Sequence, residues 1–414
     1  MSSTSPASPE GPRRAAIVFI FVTILLDMLA LGVIIPVLPK LIVTMSGADE
    51  AYGAHVYGAF GTVFALMQFT CSPLLGALSD RFGRRPVILT SCLGLGLDYV
   101  LMALAPSLAW LFVGRVVSGV TSSNIGTAGA YVADVLPPEK RAQGFGMLGV
   151  AFGLGFVLGP AIGGLLGGSN PRLPFWVAAG LSTLNFCYGL FALPESLPVE
   201  HRSRFEWRRA NPLGSLRLLR EHPGLGGLAW VNFLAQLGHA SLPSVFVLYA
   251  SYRYHWGERM VGLTLAGVGV CSALVQGGLV GPIVARLGER RALLFGLLFG
   301  SVGFAIYGLA PSGGLFFLGV PVMAIWGVSG PAIQGLMSSH VSVTEQGKLQ
   351  GANSSLMGIA ELVGPGLYTG AFAYFIGQGA LLELPGAPFL LAASLLAAAA
   401  FVSLRAAPVP VANP

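Results

Sequence analysis

Along this chain, apolar runs of roughly the length needed to cross a bilayer alternate with short polar breaks. A helix crosses a ~30 Å hydrocarbon layer in about 20 apolar residues. Runs of that kind fall near 15–39, 56–78, 86–105, 108–133, 143–168, 173–193, 224–250, 260–284, 291–310, 314–338, 349–377 and 386–405. They predict an all-α membrane protein with twelve transmembrane helices. The longest internal polar break, 194–222, divides the chain into a six-helix bundle (1–193), a cytoplasmic linker and a second six-helix bundle (223–414). The linker carries Arg202, Arg204, Arg208, Arg209, Arg217 and Arg220 against Glu195, Glu200, Glu206 and Glu221, and is expected to be partly an amphipathic helix. The polar tail Met1 to Arg14 runs straight into a full-length span without a small-residue cleavage pattern, so no cleaved signal is expected.

Two of the breaks share a pattern. Gly281-x-x-x-x-Arg286-x-Gly288-x-Arg290 restates Gly76-x-x-x-x-Arg81-x-Gly83-x-Arg85 at an offset of 205 residues. Gly364-Pro365 follows Gly159-Pro160 at the same offset, and Asn232 follows Asp27. One offset shared by independent motifs implies two parallel six-span copies, an arrangement that places a transport site between the halves near the midplane. The copies differ in charge. Asp80 becomes Ala285, Arg84 becomes Glu289 and Arg115 becomes Val320.

Composition agrees with the pattern: 54% of residues are hydrophobic and 10% charged, with a mean hydropathy of +0.75. The net charge of +6 raises the question of nucleic acid, and the placement of the charge answers it. Of 23 Lys and Arg, four (Lys40, Arg172, Arg253 and Arg259) fall in loops of one side and Arg115 within a span, so that 18 lie on the other side. Such asymmetry marks the cytoplasmic face of a membrane protein, not a nucleic-acid footprint. Both termini are therefore expected in the cytoplasm, and the location in a plasma membrane, a bacterial inner membrane by this reading. Cys71, Cys92, Cys187 and Cys271 lie in spans and read as small buried hydrophobes.

An ionised group at mid-membrane costs about 2.5–3.5 kcal/mol on insertion scales, so the few that occur are candidates for function. Asp27, Asp98, Arg115 and Glu361 are such groups. The three acids each lie ~18 Å from the cytoplasmic end of their span at 1.5 Å per helical residue, near the midplane. They are candidates to face one cavity. A carboxyl group taken out of water is cheaper neutral than charged, which suits a proton carrier. Asp27 and Asp98 are therefore expected to handle protons or a cationic substrate with Arg115 tuning them, and Glu361, whose counterpart in the first copy is Phe156, to select substrate. Gln68, Asn232, Gln236, Gln276 and Gln334 are intramembrane amides that either line the cavity or bridge helices. His55 and His239 read as residues near helix ends, at the interface.

The fifth span carries Gly155, Gly159, Gly163 and Gly167 at i, i+4 spacing, with Pro160 and Gly164 beside them. Residues four apart share one helix face, so the stripe is a groove for close packing or sliding of another helix. The chain has no phosphate loop, metal-ligand cluster or nucleophile motif. It is not expected to be an enzyme or to bind a cofactor. Its energy source is expected to be a proton gradient, and a divalent metal would enter only as part of a chelated substrate.

These residues also carry a resemblance. The break reading Gly76-x-Leu78-x-Asp80-Arg81-x-Gly83-Arg84-Arg85 resembles the loop between the second and third spans of the major facilitator superfamily, and Gly155 to Gly164 resembles the signature of its antiporters. With Asp27, Gln68, Asp98 and Gly114-Arg115 in their spans, the chain is most similar to the twelve-span drug:proton antiporters, closest to those for tetracycline. The resemblance implies the major facilitator fold and alternating access. It implies coupling of substrate and protons at Asp27 and Asp98, assistance to proton transfer by Arg115, and a cytoplasmic gate formed by Asp80, Arg81, Arg84 and Arg85. The tetracycline exporters also use a histidine in the eighth span and an aspartate in the ninth; here these positions are Ser272 and Gly300. The expected function is thus export of a tetracycline-like or other amphipathic drug in exchange for protons. The alternatives are multidrug or metabolite efflux without tetracycline, proton-coupled uptake, and a receptor that no longer transports. The expected partners are a small-molecule drug or metabolite, protons and lipid, with no nucleic acid.

Overall fold

A computed structural model describes residues 10–47, 49–122, 124–203, 211–342, 345–378, 380 and 382–405. The first nine residues, the last nine, and the linker residues Arg204, Glu206, Arg208 and Arg209 lie outside the described residues. Among the described residues there is helix and no strand. Ten helical stretches are long and apolar enough to cross a membrane. One of them, Glu258–Leu309, is two spans folded back at Gly288 (φ 74°). A further span is Leu108–Thr121 continued by Asn124–Val135, each piece too short to cross alone. The chain is therefore an integral membrane protein with twelve spans.

Span 1 is Glu10–Ile34, and Leu38–Ser46 continues it past the bend at Pro36, with Pro39 in the first turn where its missing N–H goes unneeded. Span 2 is Glu50–Phe82, span 3 Arg84–Leu104, span 5 Pro138–Gly167 and span 6 Leu173–Ala192. Span 7 is Pro223–His239 followed by Ser241–Tyr254, and span 8 is Glu258–Leu274 running into a π-helical turn, Val275–Leu279. Span 9 covers 289–309, span 10 runs from Gly313–Ala324 to Ser329–Ser338, span 11 is Gln346–Ile376 and span 12 Ala387–Arg405.

Most helices overrun the apolar runs that announce them. The break between spans 2 and 3, which the apolar runs place between 78 and 86, is narrower: helix continues to Phe82 and resumes at Arg84, so Gly83 is the whole turn. Hydropathy records where the bilayer ends, whereas the helix keeps its own hydrogen bonds beyond it. Gly83 has φ 106°, a conformation open to glycine and strained for other residues. Gly288, its counterpart in the second copy, has φ 74°. Among the described residues of the linker, helix is found at Arg217–Glu221, with single turns at Val199–His201 and Gly214–Leu216.

Each half has its own core. Two buried apolar clusters lie among residues 20–193, and one large cluster gathers residues 218–400 with Ala54 as its single member from the first half. Contacts repeat with the sequence offset. A Cβ on Gly114 would meet Met102 at 2.6 Å, and one on Gly319 would meet Tyr307 at 2.9 Å, the same pair one copy later. The bundles touch along two seams related in the same way: Gly58 against Thr369 on spans 2 and 11, and Gly164 against Gly262 on spans 5 and 8. Parallel halves meeting through such seams are the major facilitator architecture.

At the end of the molecule opposite Gly83 the bundles are closed. Lys40 Nζ lies 3.0 Å from Glu258 Oε1, and Tyr57 Oη–H donates to the Pro243 carbonyl at 3.2 Å. Toward the Gly83 end, Gly76 on span 2, Gly149 on span 5 and Gly277 on span 8 have open space on their bare faces.

Candidate functional site

Span 1 brings Asp27 into the interior of the first bundle, where it is 4% exposed. Asn185 on span 6 donates from Nδ2 to Asp27 Oδ1 at 2.8 Å and to the Thr23 carbonyl at 2.9 Å. Cys92 Sγ on span 3 approaches the same oxygen at 3.8 Å. Asp98, two turns further along span 3, is 1% exposed and accepts from Ser118 Oγ on span 4, while its Oδ1 has no hydrogen-bond partner. Glycine at 114 makes room for it, since a Cβ there would meet Asp98 Oδ1 at 2.9 Å.

Arg115 follows Gly114 and is buried, with its guanidinium carbon 4.1 Å from the centroid of the Phe64 ring on span 2. Its Nε has no hydrogen-bond partner. A cation over an aromatic face keeps electrostatic support in a dry site without being neutralised. Tyr99 is fully buried within electrostatic reach of Asp27, Asp98 and Arg115. The structure therefore brings these three residues into one cluster inside the first bundle.

Glu361 is not part of that cluster. It lies half-buried on span 11 of the other bundle, and among the described residues no hydrogen bond or ion pair engages it. The amides divide. Asn232 Nδ2 donates to Asn353 Oδ1 at 3.1 Å and Asn353 Nδ2 to Gln334 Oε1 at 2.9 Å, so Asn232 and Gln334 tie spans 7, 11 and 10 together. That is the helix-bridging role, one of the two expected of these amides. Gln68 and Gln236 are partly exposed and Gln276 is exposed. His239 is also corrected: it is a helix-end residue only because span 7 breaks at mid-depth, and its ring stands 5.5 Å from Trp326 inside the second bundle.

The turn at Gly83 sits in a knot of charge. Arg84 is 8% exposed; it donates from Nε to Asp134 Oδ2 at 3.0 Å and from Nη1 to Ser79 Oγ at 2.7 Å, and pairs with Asp80. Glu195, beyond span 6, accepts from the backbone N–H groups of Arg84 (2.9 Å) and Arg85 (3.3 Å), placing a carboxylate on the positive end of span 3. Arg85 Nη2–H donates to the Leu190 carbonyl at 2.6 Å. Arg81 stays outside the knot, its guanidinium over Phe82. The linker joins in through Ser203 N–H, which donates to the Asp80 carbonyl at 3.1 Å.

The glycine stripe of span 5 has two faces. Gly155, Gly159 and Gly163 lie against Met28, Gly32 and Val33 of span 1 in the same bundle, the Gly159 position 2.7 Å from Gly32 Cα. Gly164 and the Pro160 carbonyl instead meet span 8, with Gly262 Cα 2.9 Å from the Gly164 position. Sequence reading missed Asn185, Asp134, Asn353 and Trp326. Asp134, at the polar end of an apolar run, and Asn185, an amide at mid-span, are the two for which a signal existed.

Two six-span halves, acids buried inside one of them and bare-glycine seams between them define a membrane transporter of the alternating-access kind. The chain belongs to the Major Facilitator Superfamily, whose family model matches residues 20–365. It is 38% identical over 358 residues to the tetracycline resistance protein, class C, of Escherichia coli, covering 86% of this chain and 90% of that protein. It is also 38% identical over 386 residues to the class G protein of Vibrio anguillarum, covering 91% and 97%. Among solved structures it is similar to the human organic anion transporter MFSD10 (TETRAN), with TM-score 0.71, 26% identity and coverage of 95% and 99%.

Proposed function

We infer that this protein exports a tetracycline-like or other amphipathic drug in exchange for protons, by alternating access. The observation that carries this reading is the near full-length similarity to tetracycline resistance proteins of classes C and G. The site supports it. Asp98 offers an oxygen without a donor, to which a proton can bind, beside a second acid, Asp27, and a cation, Arg115, that favours release of the proton again. Tyr99 lies within reach of all three.

In this reading the Gly83 end faces the cytoplasm of a bacterium, in accord with the excess of Lys and Arg there, and both termini lie on that side. With the bundles joined at Lys40–Glu258, the described state is closed at that end, and on this reading cargo enters from the Gly83 end. Rocking the halves about the two glycine seams would turn the site outward. The knot of Asp80, Arg84 and Asp134 then lies at the rim that closes.

One observation favours cargo other than tetracycline. Gly300, where the tetracycline exporters carry an acid, is filled by its neighbour: a Cβ there would meet the Trp326 indole at 2.8 Å. Both versions are tested in everted vesicles that hold a preformed pH gradient. Addition of tetracycline or another drug is expected to release protons from wild-type vesicles and not from Asp98→Asn or Asp27→Asn vesicles. Silence across neutral and cationic drugs alike would overturn the exporter reading.

A further inference from the structure

We propose that the second bundle carries a binding site for an organic monocation with an aromatic or broad apolar body, built from Glu361, His239, Trp326 and Gln276. The proposal rests on the exporter reading and names the class of cargo.

Glu361 is the starting point. An acid at mid-membrane is expensive and in general pairs with something. Asp27 has Asn185 and Asp98 has Ser118, but among the described residues nothing engages Glu361, although it is half-buried. A proton neutralises it when the site is empty, and an entering cation can take the proton's place. The first copy has Phe156 at this place, so the charge is a property of the second bundle alone. Arg115, the one intramembrane cation of the first bundle, has Val320 as its counterpart, so no built-in cation competes for Glu361.

Two aromatic groups stand on neighbouring spans, His239 on span 7 and Trp326 on span 10. His239 is exposed at the mid-span break of span 7. Its ring lies 5.5 Å from that of Trp326, tilted by 44°. Trp326 is wedged against Gly300 and, at 5.9 Å, against Phe304, so its orientation is fixed. Its Nε1–H is buried without an acceptor.

The helices that carry these groups are joined. Gly364 meets Ala240, the neighbour of His239, and Tyr368 Oη–H donates to the Leu237 carbonyl at 2.8 Å. Glu361 lies one turn from Gly364 on the same face of span 11, toward the Gly83 end. Gln276 reaches within 3.6 Å of the Gly327 position beside Trp326, from the π-helical turn of span 8, and such turns recur at functional sites. A lone carboxylate beside aromatic faces in a water-poor site attracts organic cations through charge and ring quadrupole together. An anion of the same shape meets a like charge.

The test uses the purified full-length chain and two probes of one shape and opposite charge, tetraphenylphosphonium and tetraphenylborate. Wild type is expected to bind tetraphenylphosphonium saturably and at least tenfold tighter than tetraphenylborate. Glu361→Gln should weaken the cation at least tenfold, with partial recovery in Glu361→Asp; Trp326→Leu should weaken it and Trp326→Phe retain it. Absence of saturable cation binding, equal or tighter binding of the borate, or indifference to Glu361→Gln would overturn the site. The two-probe comparison on wild type decides the matter even where a variant fails to fold. Tetracycline-driven proton release from liposomes of the same preparation separates the claims. Release without cation binding removes this site and leaves the exporter; Glu361-dependent binding without release from any drug removes the exporter and leaves the site.

Discussion

Asp98 keeps one carboxyl oxygen on Ser118 and leaves the other without a donor. If that arrangement positions a proton, Ser118→Ala should slow proton-coupled export about tenfold, roughly 1.4 kcal/mol, the scale of one hydrogen bond to a charged group. The folded fraction measured by detergent size-exclusion should stay unchanged. Export as fast as wild type would show that Ser118 does not position the acid. Arg84 makes a different kind of contact, a charge pair with Asp134 whose side chain is only 21% exposed. A double-mutant cycle on thermal stability, Arg84→Ala with Asp134→Ala, should give a coupling of about 1–3 kcal/mol. Additive losses would make the pair incidental. Asp27, Asp98, Arg115 and Glu361 were legible from the sequence because a charge inside an apolar run is conspicuous. The role of Glu195 was not. An acid just past a span looks ordinary until the fold shows which N–H groups it meets.

The helices teach the same lesson in another form. Twelve spans could be read from apolar runs because the bilayer imposes a minimum length on each, but their ends and breaks follow hydrogen bonds that hydropathy does not see. Span 2 continues through the charged motif to Phe82, and span 7 breaks at mid-depth beside His239. The stripe on span 5 shows what spacing alone leaves open. Gly155, Gly159 and Gly163 form the groove their spacing predicts, against span 1, and Gly164 beside them meets span 8. Adjacent glycines therefore have separable tasks. Gly163→Ala would drive a Cβ into the Val33 carbonyl within one bundle, so it should lower the yield of folded protein. Gly164→Ala would press on span 8 only where the bundles close, so folded protein should persist with its population shifted toward the outward-open state. Cysteine accessibility at the Lys40 end reports the shift. Equal effects from both substitutions would contradict the division.

Across the whole molecule, the repeat at 205 residues is the feature that sequence carried most fully into structure. It relates the turn glycines Gly83 and Gly288, and the two seams between bundles. The unequal charge of the copies is just as plain: proton-handling candidates gather in the first bundle and an unpaired acid with two aromatic groups in the second. What no sequence offset reveals is which end is closed, because that depends on contacts between copies. Lys40 and Glu258 make one of them. In a background where Cys71, Cys92, Cys187 and Cys271 are replaced, Lys40→Cys with Glu258→Cys joined by a short crosslinker should stop export, and reduction should restore it. Undiminished export after crosslinking would mean that this end does not open in the cycle.

The central claim is exchange of drug for protons through the first bundle, and purified protein in liposomes tests it most directly. With no drug gradient present, an imposed pH gradient should drive labelled tetracycline, or a drug found active in vesicles, against its concentration. Reversing the gradient should reverse the flux, and Asp98→Asn should abolish the response while leaving drug binding measurable. Drug movement indifferent to the direction of the pH gradient, or unchanged in Asp98→Asn, would contradict the account.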